Sequence, residues 1–366
     1  MEATQRSRRL RALAAGLGTS RRSARSCCCD RIAAVDGAAA AGAAARPPAT
    51  AGAADSDARE QLLDLGYCVV PDVLSPDLLR RLRAVTDEFL DAQPREDSLR
   101  HRSQGSMIPV PGRDAEAPVD PVFLELLTWQ PALDALVALG FPRGGATFTD
   151  GYVISKPPRS PPLFWHYDWF SWELSEDWAP RGAQYFLMYY LHSTTPDNGC
   201  LRAIPGSHFR HNELRDSLLA PHNPEYSSAE DLSSPGFAQR PDEVDVPVDA
   251  ADLLIGDARM LHATHPNRSD RRRTVITLWY QPDFDGLPLK HKAQMLAKTM
   301  TVPSTWAEEE EAAAEEAQMQ QGQLHEKLVS MMPPARWARA GLPELDVAVE
   351  QHSLDLSRQL YRQTPF

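Results

Sequence analysis

Residues 253–280 read LLIGDARMLHATHPNRSDRRRTVITLWY, and this stretch decides the fold class. Its two clearest apolar runs, Leu253–Ile255 and Thr274–Tyr280, are short, and the second is rich in β-branched and aromatic residues, which favours strands. A Gly-Asp turn follows the first run and leads to a third strand candidate, Arg259–Ala263. The stretch therefore predicts short strands joined by turns.

The same pattern extends upstream as far as Thr147. Four more β-rich runs, separated by Pro, Gly and Asn, are strand candidates: Gly151–Lys156, Leu163–Asp168, Gln184–His192 and Cys200–Ile204. Many short strands with such turn residues between them are typical of β-sandwiches and barrels. From Thr147 to Pro282 we therefore predict a fold of the jelly-roll kind, without internal repeats.

A helix is predicted on each side of this β region. Ser75 suits an N-cap, Pro76 suits the first helical turn, and an apolar stripe at helical spacing continues to Phe89. Near the C-terminus, Thr305 and Glu308 resemble a capping box, and the Glu-rich residues beyond them are expected on an exposed helix face. The chain is thus predicted to comprise a leader (residues 1–55), a β domain with flanking helices (56–285) and a helical extension (286–366).

The predicted leader has an unusual composition. Residues 1–55 are rich in Arg, Ser and Ala and contain no aromatic residue, which is typical both of disordered tails and of mitochondrial or plastid transit peptides. Arg9 to Leu17 is similar to an N-terminal peroxisomal signal, but Gly16 stands where His or Gln is expected. We therefore expect a mitochondrial or plastid location if the leader is a transit peptide and a cytoplasmic one otherwise, with the peroxisome least favoured.

The composition excludes several classes of function. The 366 residues carry a formal net charge of −12, although residues 1–29 hold seven Arg and one acid, and this acidity argues against nucleic acid as the main partner. The sequence contains no run of about 18 strongly apolar residues that would span a membrane. The five Cys include the adjacent Cys27, Cys28 and Cys29 and form no C-x-x-C pair, which disfavours a disulfide framework or a zinc ribbon. A small molecule is the expected partner, and no protein partner is indicated.

The residues that carry chemistry begin with His166 and Asp168 in the run LFWHYD. In an extended chain, residues two apart share a face, so the imidazole and the carboxylate can meet one metal ion. Two His and one carboxylate on one face of the metal, with the other positions open, form the facial triad of non-haem Fe(II) oxygenases. The pair alone is weak evidence, and the interpretation requires a third ligand downstream.

His262 is the candidate third ligand. Arg273 follows eleven residues later, at the start of the next strand, and an Arg fork can bind the distal carboxylate of a dicarboxylate bidentately. His265, three residues after His262, is a rival ligand. Two His and a carboxylate would also suit a zinc hydrolase, although Arg273 at this spacing disfavours that alternative.

With these residues in place, the sequence resembles the phytanoyl-CoA dioxygenase family of Fe(II)/2-oxoglutarate-dependent oxygenases. Four segments in the family's order carry the resemblance: ISKPP (154–158), HYD (166–168), NGCLRAIPGSH (198–208) and HATHPNRS with the later Arg (262–273). The resemblance covers about residues 58–285. It implies a mainly β fold with flanking α-helices, a double-stranded β-helix of the cupin-like jelly-roll type, with an iron site at its open end.

The resemblance also implies roles for individual residues. The implied metal ligands, which form the catalytic centre, are His166, Asp168 and His262. Arg273 would anchor the distal carboxylate of 2-oxoglutarate, with the Thr264 hydroxyl assisting where the family commonly has Ser. Lys156 matches a cosubstrate-contacting Lys of some members, and its alternative is a solvated Lys beside a Pro turn.

The implied activity is that of a non-haem iron dioxygenase. Fe(II), 2-oxoglutarate and O2 would be required, with ascorbate a candidate reductant, and the reaction would hydroxylate an apolar small molecule or an acyl group, including acyl-CoA, while releasing succinate and CO2. Because Asp168 is present, hydroxylation is favoured over halogenation. Two alternatives are an oxygenase of a free specialised metabolite and a non-catalytic jelly-roll binding or scaffold protein.

The cosubstrate pocket that the resemblance implies differs from the family at one position, and the placement of the nearby aromatic residues is left open. Met188 stands where some members have a cosubstrate-contacting Trp. Aromatic residues around the metal pair are expected to divide between the core and the pocket mouth, where they would favour an apolar or ring-bearing substrate: Phe164, Trp165, Trp169, Phe170 and Trp172. His192, His208 and His211 are expected to be structural.

Overall fold

In the computed structural model of the protein, the described residues are 51–93, 103, 105–110, 120–169, 181–218, 224–288 and 291–292. The predicted leader up to residue 50 lies outside them, with its run of three Cys, and so do Phe170 and Trp172. Only the first few residues of the predicted C-terminal extension are described, so the acidic helix predicted after Thr305 also falls outside.

Six helices and ten strands make up the described part of the chain. The helices are α1 (Ala51–Leu65), α2 (Pro76–Ala92), α3 (Pro121–Leu127), α4 (Gln130–Ala138), α5 (Leu214–Ser217) and α6 (Pro224–Ser228). The strands are β1 (Tyr67–Val70), β2 (Ser106–Pro109), β3 (Thr147–Lys156), β4 (Leu163–His166), β5 (Tyr185–Tyr190), β6 (Leu201–Ala203), β7 (Val244–Val246), β8 (Leu253–Asp257), β9 (His262–Thr264) and β10 (Arg273–Gln281). Helix α1 begins upstream of the predicted boundary between leader and β domain.

The strands form two sheets that pack face to face. The larger sheet has the order β1-β8-β5-β10-β3-β2 and the smaller one the order β4-β9-β6-β7, and the strands pair antiparallel in both. Apolar side chains from the two sheets meet in one buried cluster, which contains Leu254 and Val275 of the larger sheet and Leu201 and Val246 of the smaller. This arrangement confirms the predicted mainly β jelly-roll fold with flanking helices.

Successive side chains of β10 point to opposite faces of the larger sheet. Ile276 belongs to the cluster formed with α2, α3 and α4, whereas Val275 belongs to the cluster between the sheets. Because side chains alternate along a strand, Arg273 and Trp279 lie on the same inner face as Val275. The helices therefore cover the outer face of the larger sheet, and Arg273 and Trp279 of β10 point into the sandwich.

Helix α2 forms as the sequence predicts. The Ser75 hydroxyl accepts a 3.1 Å hydrogen bond from the backbone N–H of Leu78, and Pro76 opens the helix. Leu78 and Leu82 of the predicted stripe are buried, while Phe89 is partly buried against the same core. An amphipathic face, rather than propensity alone, therefore holds α2 on the sheet.

The strand predicted over Arg259–Ala263 is wrong in its first half. Met260 N–H donates to the carbonyl of Asp257 at 2.9 Å, which closes a turn. Arg259 is held in that turn by a buried ion pair with the Asp257 carboxylate, with N–O distances of 2.8 and 2.6 Å. The strand begins only at His262, because the ion pair commits the preceding residues to the turn. The sequence analysis also fails to predict β1, β2 and β7, which are only three or four residues long.

Candidate functional site

Two imidazoles face each other where β4 pairs with β9. His166 and His262 are direct partners in this pairing, and their ring centroids lie 4.2 Å apart. Asp168 follows β4, where its backbone N–H donates a 2.8 Å hydrogen bond to the carbonyl of Ala258. One ligand atom from each residue of the predicted triad lies within 4.8 Å of the other two. The fold thus brings together three residues from two distant parts of the sequence.

Backbone carbonyls fix the orientation of both rings. His166 Nδ1 lies 3.0 Å from the carbonyl oxygen of Phe164, and His262 Nδ1 lies 3.0 Å from that of Met260. A carbonyl only accepts, so each Nδ1 is the donor of its hydrogen bond, and Nε2 is the other ring nitrogen, the one that can coordinate a metal ion. This is the arrangement in which outer hydrogen bonds orient imidazole ligands for a metal ion.

The two carboxylate oxygens of Asp168 have different surroundings. Oδ1 lies 3.7 Å from His166 Nε2, whereas Oδ2 accepts a 3.0 Å hydrogen bond from the indole Nε1 of Trp279. The Trp279 ring is in edge contact with Tyr152, with ring centroids 6.0 Å apart. Asp168 is therefore held so that Oδ1 is directed towards the imidazoles.

Arg273 and Thr264 provide a second set of buried polar groups. The Arg273 guanidinium is buried and donates one 2.8 Å hydrogen bond, from Nη2 to the carbonyl of Gly199. Among the described residues, neither Arg273 Nε nor the buried Thr264 hydroxyl has a hydrogen-bond partner. Buried polar atoms are seldom left without partners, so these two donors indicate a place for an acceptor that comes from a ligand.

Lys156 lies directly opposite Arg273 in the β3–β10 pairing. It is buried, and its ammonium donates to the carbonyls of Ser103 at 3.1 Å and Pro161 at 2.6 Å. It is therefore not the solvated Lys of the alternative interpretation.

The two neighbouring cations leave this pocket electrostatically unbalanced. Burial lowers the pKa of Lys156 well below its ordinary value, and the positive charge of Arg273 lowers it further. Burial likewise lowers the pKa of Arg273. In the described part of the chain, neither side chain forms an ion pair with an acid. Because burying unpaired cations is costly, the pocket favours an anionic ligand.

The turn at Gly199 allows the pocket to be this narrow. Gly199 has a φ of +92°, and a Cβ atom there would lie 3.1 Å from Lys156 Cδ and 3.2 Å from the carbonyl oxygen of His265. Asn198 supports the turn by accepting from the Thr195 N–H at 2.7 Å. Asn198 and Gly199 of the sequence motif therefore shape the pocket wall.

The model of the phytanoyl-CoA dioxygenase family matches residues 63–275, which is more than half of the chain. The chain belongs to this family. As a phytanoyl-CoA dioxygenase family member, the protein is a non-haem dioxygenase that uses iron and 2-oxoglutarate. The comparison with curated proteins gives no match.

Solved structures of similar fold include an α-ketoglutarate-dependent epimerase and two proteins crystallised with 2-oxoglutarate. The epimerase SnoN from nogalamycin biosynthesis is 21% identical, with 63% of this chain and 81% of that chain covered at a TM-score of 0.46. HygX from Streptomyces hygroscopicus, with nickel and 2-oxoglutarate bound, is 19% identical, with 61% and 86% covered at a TM-score of 0.46. EctD from S. alaskensis, with 2-oxoglutarate and 5-hydroxyectoine, is 21% identical. The match covers 61% of this chain and 74% of that chain at a TM-score of 0.43.

Four other His residues in the described part of this family member have partners outside the triad. The rival ligand His265 pairs with Asp245, and its Nε2 lies 2.6 Å from Oδ1 of that residue. His192 Nδ1 accepts from the Thr274 N–H at 3.4 Å, and His208 Nε2 donates to the carbonyl of Leu63 at 3.1 Å. The structural roles predicted for His192 and His208 agree with these contacts. His211 is largely exposed beside Asp216.

The aromatic residues near the metal pair are core residues where the structure describes them. Phe164 stacks on Tyr226, with ring centroids 5.0 Å apart. The Arg202 guanidinium carbon lies over the Trp165 ring, 4.8 Å from the ring centroid. Trp169 is fully buried. The partly exposed aromatic rings beside the site come instead from Tyr152 and Trp279.

Trp279, on the inner face of the larger sheet, was not predicted as a functional residue from the sequence, whereas Tyr190 was noted beside Met188. Trp279 lies four residues after Val275 on the same face, and Tyr190 is the direct partner of Val275 between β10 and β5. Burial raises the pKa of the Tyr190 phenol to about 12, against a smaller opposite effect of the nearby Arg273. Tyr190 is thus a neutral phenol beside the cations, on the same face as Met188. The period-two alternation that starts at Arg273 was the signal that could have found Trp279.

Proposed function

We propose that His166, Asp168 and His262 hold Fe(II), and that the family member hydroxylates an apolar small molecule with 2-oxoglutarate as cosubstrate. The observation that carries this proposal is the convergence of the three ligand atoms within 4.8 Å, with both imidazoles oriented by backbone carbonyls. Two nitrogens and one carboxylate oxygen are the donor set preferred by non-haem Fe(II), and they leave coordination positions for small molecules.

The bound iron would supply the oxidising chemistry for C–H hydroxylation, coupled to decarboxylation of 2-oxoglutarate to succinate and CO2. The protein's contribution is positional. The Phe164 and Met260 carbonyls keep the protons of the two imidazoles on Nδ1, away from the metal side. The Trp279 indole holds Oδ2 of Asp168, which directs Oδ1 to the same point.

We further propose that Arg273, Thr264 and Lys156 bind the distal carboxylate of 2-oxoglutarate. The unpartnered Arg273 Nε and Thr264 hydroxyl would each gain an acceptor, and the carboxylate would neutralise two buried cations. Thr264 lies two residues after His262 on β9, so both side chains face the interior of the sandwich. In this proposal the anion pocket lies beside the metal centre.

The inner face of the larger sheet supports an apolar substrate. Its side chains near the site are mainly apolar or aromatic, and they include Tyr152, Ile154, Phe186, Met188 and Trp279. Such a lining favours aliphatic or ring-bearing compounds.

A free metabolite is favoured over a CoA thioester. The basic residues that could bind CoA phosphates are Arg268 and Arg271–Arg273. Of these, Arg273 is buried in the anion pocket and Arg272 is paired with Asp87 and Asp91, so only Arg268 and Arg271 remain exposed and outside ion pairs with described residues. Phosphate binding usually requires several available cations on the surface.

The proposal is tested with the full chain supplied with Fe(II) and 2-oxoglutarate. We expect stoichiometric iron, the visible charge-transfer absorption of an anaerobic Fe(II)–2-oxoglutarate chelate, and slow succinate formation without substrate. His166→Ala, Asp168→Ala and His262→Ala should each abolish all three signals, whereas the exposed control His211→Ala should retain them. Full iron loading and succinate formation in the three triad variants would overturn the assignment.

A substrate panel then tests the substrate class. Free apolar acids, ring-bearing metabolites and their CoA thioesters would be compared for stimulated succinate formation and for an added hydroxyl group. Stimulation by free compounds supports the proposal, while stimulation confined to CoA thioesters would contradict it. Absence of both iron binding and succinate formation in the unaltered protein would favour a non-catalytic binding protein.

A further inference from the structure

A second cluster of metal-binding side chains lies on the outer face of the smaller sheet. Arg202 and Asp245 are direct partners in the β6–β7 pairing, and Cys200 precedes Arg202 by two residues, so all three share one face. Leu201 faces the opposite way, into the core between the sheets. His265 reaches the same outer region, since its backbone N–H donates to the carbonyl of Cys200 at 3.0 Å.

The three side chains converge closely. One ligand atom from each of Cys200, Asp245 and His265 lies within 4.8 Å of the other two. His265 Nε2 and Asp245 Oδ1 are 2.6 Å apart, and the Cys200 thiol is free. Cys200 is buried, whereas the side chain of His265 is 18% exposed and that of Asp245 43% exposed. The thiol therefore forms the floor of a shallow site that opens to solvent through the other two.

We propose that Cys200, Asp245 and His265 bind a second divalent cation, of the Zn²⁺ type, on the face of the sheet opposite the iron centre. Thiolate, imidazole and carboxylate are the ligands that zinc takes, and a water molecule would complete a tetrahedral site. Magnesium and calcium are disfavoured because they prefer oxygen ligands. A catalytic iron site of the oxygenase type is disfavoured because it needs two His and one carboxylate, and this cluster has only one His.

Without a cation, Cys200 is expected to be a protonated thiol, and a bound cation would favour the thiolate. Burial and, to a smaller extent, the Asp245 charge raise the pKa of the thiol to about 12. The backbone N–H of Val246 and the Arg273 charge act in the opposite direction and would stabilise a thiolate. Binding then releases the Cys200 proton to solvent, and the His265 proton moves from Nε2 to Nδ1, so charge and protons balance.

The site adjoins the anion pocket through the backbone. Cys200 follows Gly199, whose carbonyl accepts from Arg273, and His265 follows Thr264. A cation that fixes Cys200 to His265 would therefore hold both walls of the pocket. This consequence rests on the proposed function, but cation binding itself does not.

The test uses Co²⁺ as a spectroscopic substitute for Zn²⁺, because cobalt–thiolate bonds give an intense near-ultraviolet charge-transfer band and nitrogen or oxygen ligands do not. The protein is the full chain with Cys27, Cys28 and Cys29 changed to Ser, which removes the other clustered thiols. We expect the band to saturate as Co²⁺ is added and to vanish in Cys200→Ser. The control Cys68→Ser removes a free thiol buried in the other core and should keep the band.

Two further variants keep the test decisive if Cys200→Ser is poorly folded. Asp245→Asn and His265→Gln change partly exposed side chains and leave both buried thiols in place. Each should weaken Co²⁺ binding about tenfold or more, since even residues outside the first ligand shell have effects of that size. Unchanged affinity in both, or no thiolate band in the starting protein, would overturn the proposal. In His166→Ala the band should persist, which separates this site from the iron centre.

Discussion

The indole Nε1 of Trp279 donates a 3.0 Å hydrogen bond to Oδ2 of Asp168. These residues are far apart in sequence, and the contact joins the larger sheet to the segment after β4. Because Oδ2 is engaged, Oδ1 is the carboxylate oxygen directed to the imidazoles, 3.7 Å from His166 Nε2. In the proposed iron site, Asp168 would thereby supply one oxygen to the metal.

Replacing Trp279 by Phe should retain most of the ring but remove the donor. We expect iron affinity or succinate formation to fall about 10- to 100-fold, the usual effect of losing an outer hydrogen bond to a metal ligand. Iron titration and succinate assays of the full chain would measure it. The control is Trp129→Phe, which removes an indole donor from the helical layer, where Nε1 donates to Val73 O at 2.8 Å. Equal losses in both variants would contradict a specific role for Trp279.

Arg273→Lys should keep the charge of the anion pocket but remove the guanidinium fork. Hydrogen bonds to charged groups contribute about 1.5–3 kcal/mol, so KM for 2-oxoglutarate should rise about tenfold or more while iron binding is retained. Thr264→Val should act in the same direction with a smaller effect. Arg143→Lys, at a side chain that is 73% exposed, is the matched control. A KM unchanged in both pocket variants would show that the distal carboxylate binds elsewhere.

The affinity for 2-oxoglutarate should decrease as pH rises through the lowered pKa of Lys156. Burial and the Arg273 charge disfavour the protonated amine in the free protein, whereas a bound carboxylate favours it, so the complex retains a proton that the free protein loses. Isothermal titration at several pH values should show this slope in the unaltered protein. Lys156→Met should bind more weakly and lose the slope. If that variant keeps the slope, another group is responsible.

His208 should make folding stability depend on pH. Its Nε2 donates to the carbonyl of Leu63, its Nδ1 is buried without a partner among the described residues, and burial lowers its pKa from the ordinary 6.5. The unfolded chain therefore binds the proton at a higher pH than the folded chain does. The contribution of the neutral His208 to the free energy of unfolding is complete above pH 6.5 and is lost as the pH falls towards the lowered pKa.

Urea unfolding of the full chain between neutral and mildly acidic pH would measure this contribution. The free energy of unfolding should fall by at most about 1.4 kcal/mol per pH unit from this group. His208→Gln should reduce that slope, and His211→Gln, at an exposed position, should not. A slope that is the same in His208→Gln and the unaltered protein would contradict the prediction.

The local parts of the fold and site could be predicted from sequence. The Ser75 cap and the apolar stripe of α2 depend on neighbours three or four residues away, and the pairing of His166 with Asp168 depends on a spacing of two. Such signals are contained in a short stretch of chain. Residues 259–261 were wrongly predicted as strand because the ion pair between Arg259 and Asp257 is stabilised by burial, which periodicity does not reveal.

The sequence by itself determined the mainly β class, the triad candidates and, through four ordered motifs, the family. Only the tertiary structure decided that Lys156 faces Arg273, that Trp279 holds Asp168, and that His265 turns outward to Cys200. These contacts follow from strand register and from the packing of two sheets. A shift of one residue in register would send each side chain to the opposite face, so no local pattern could have specified them.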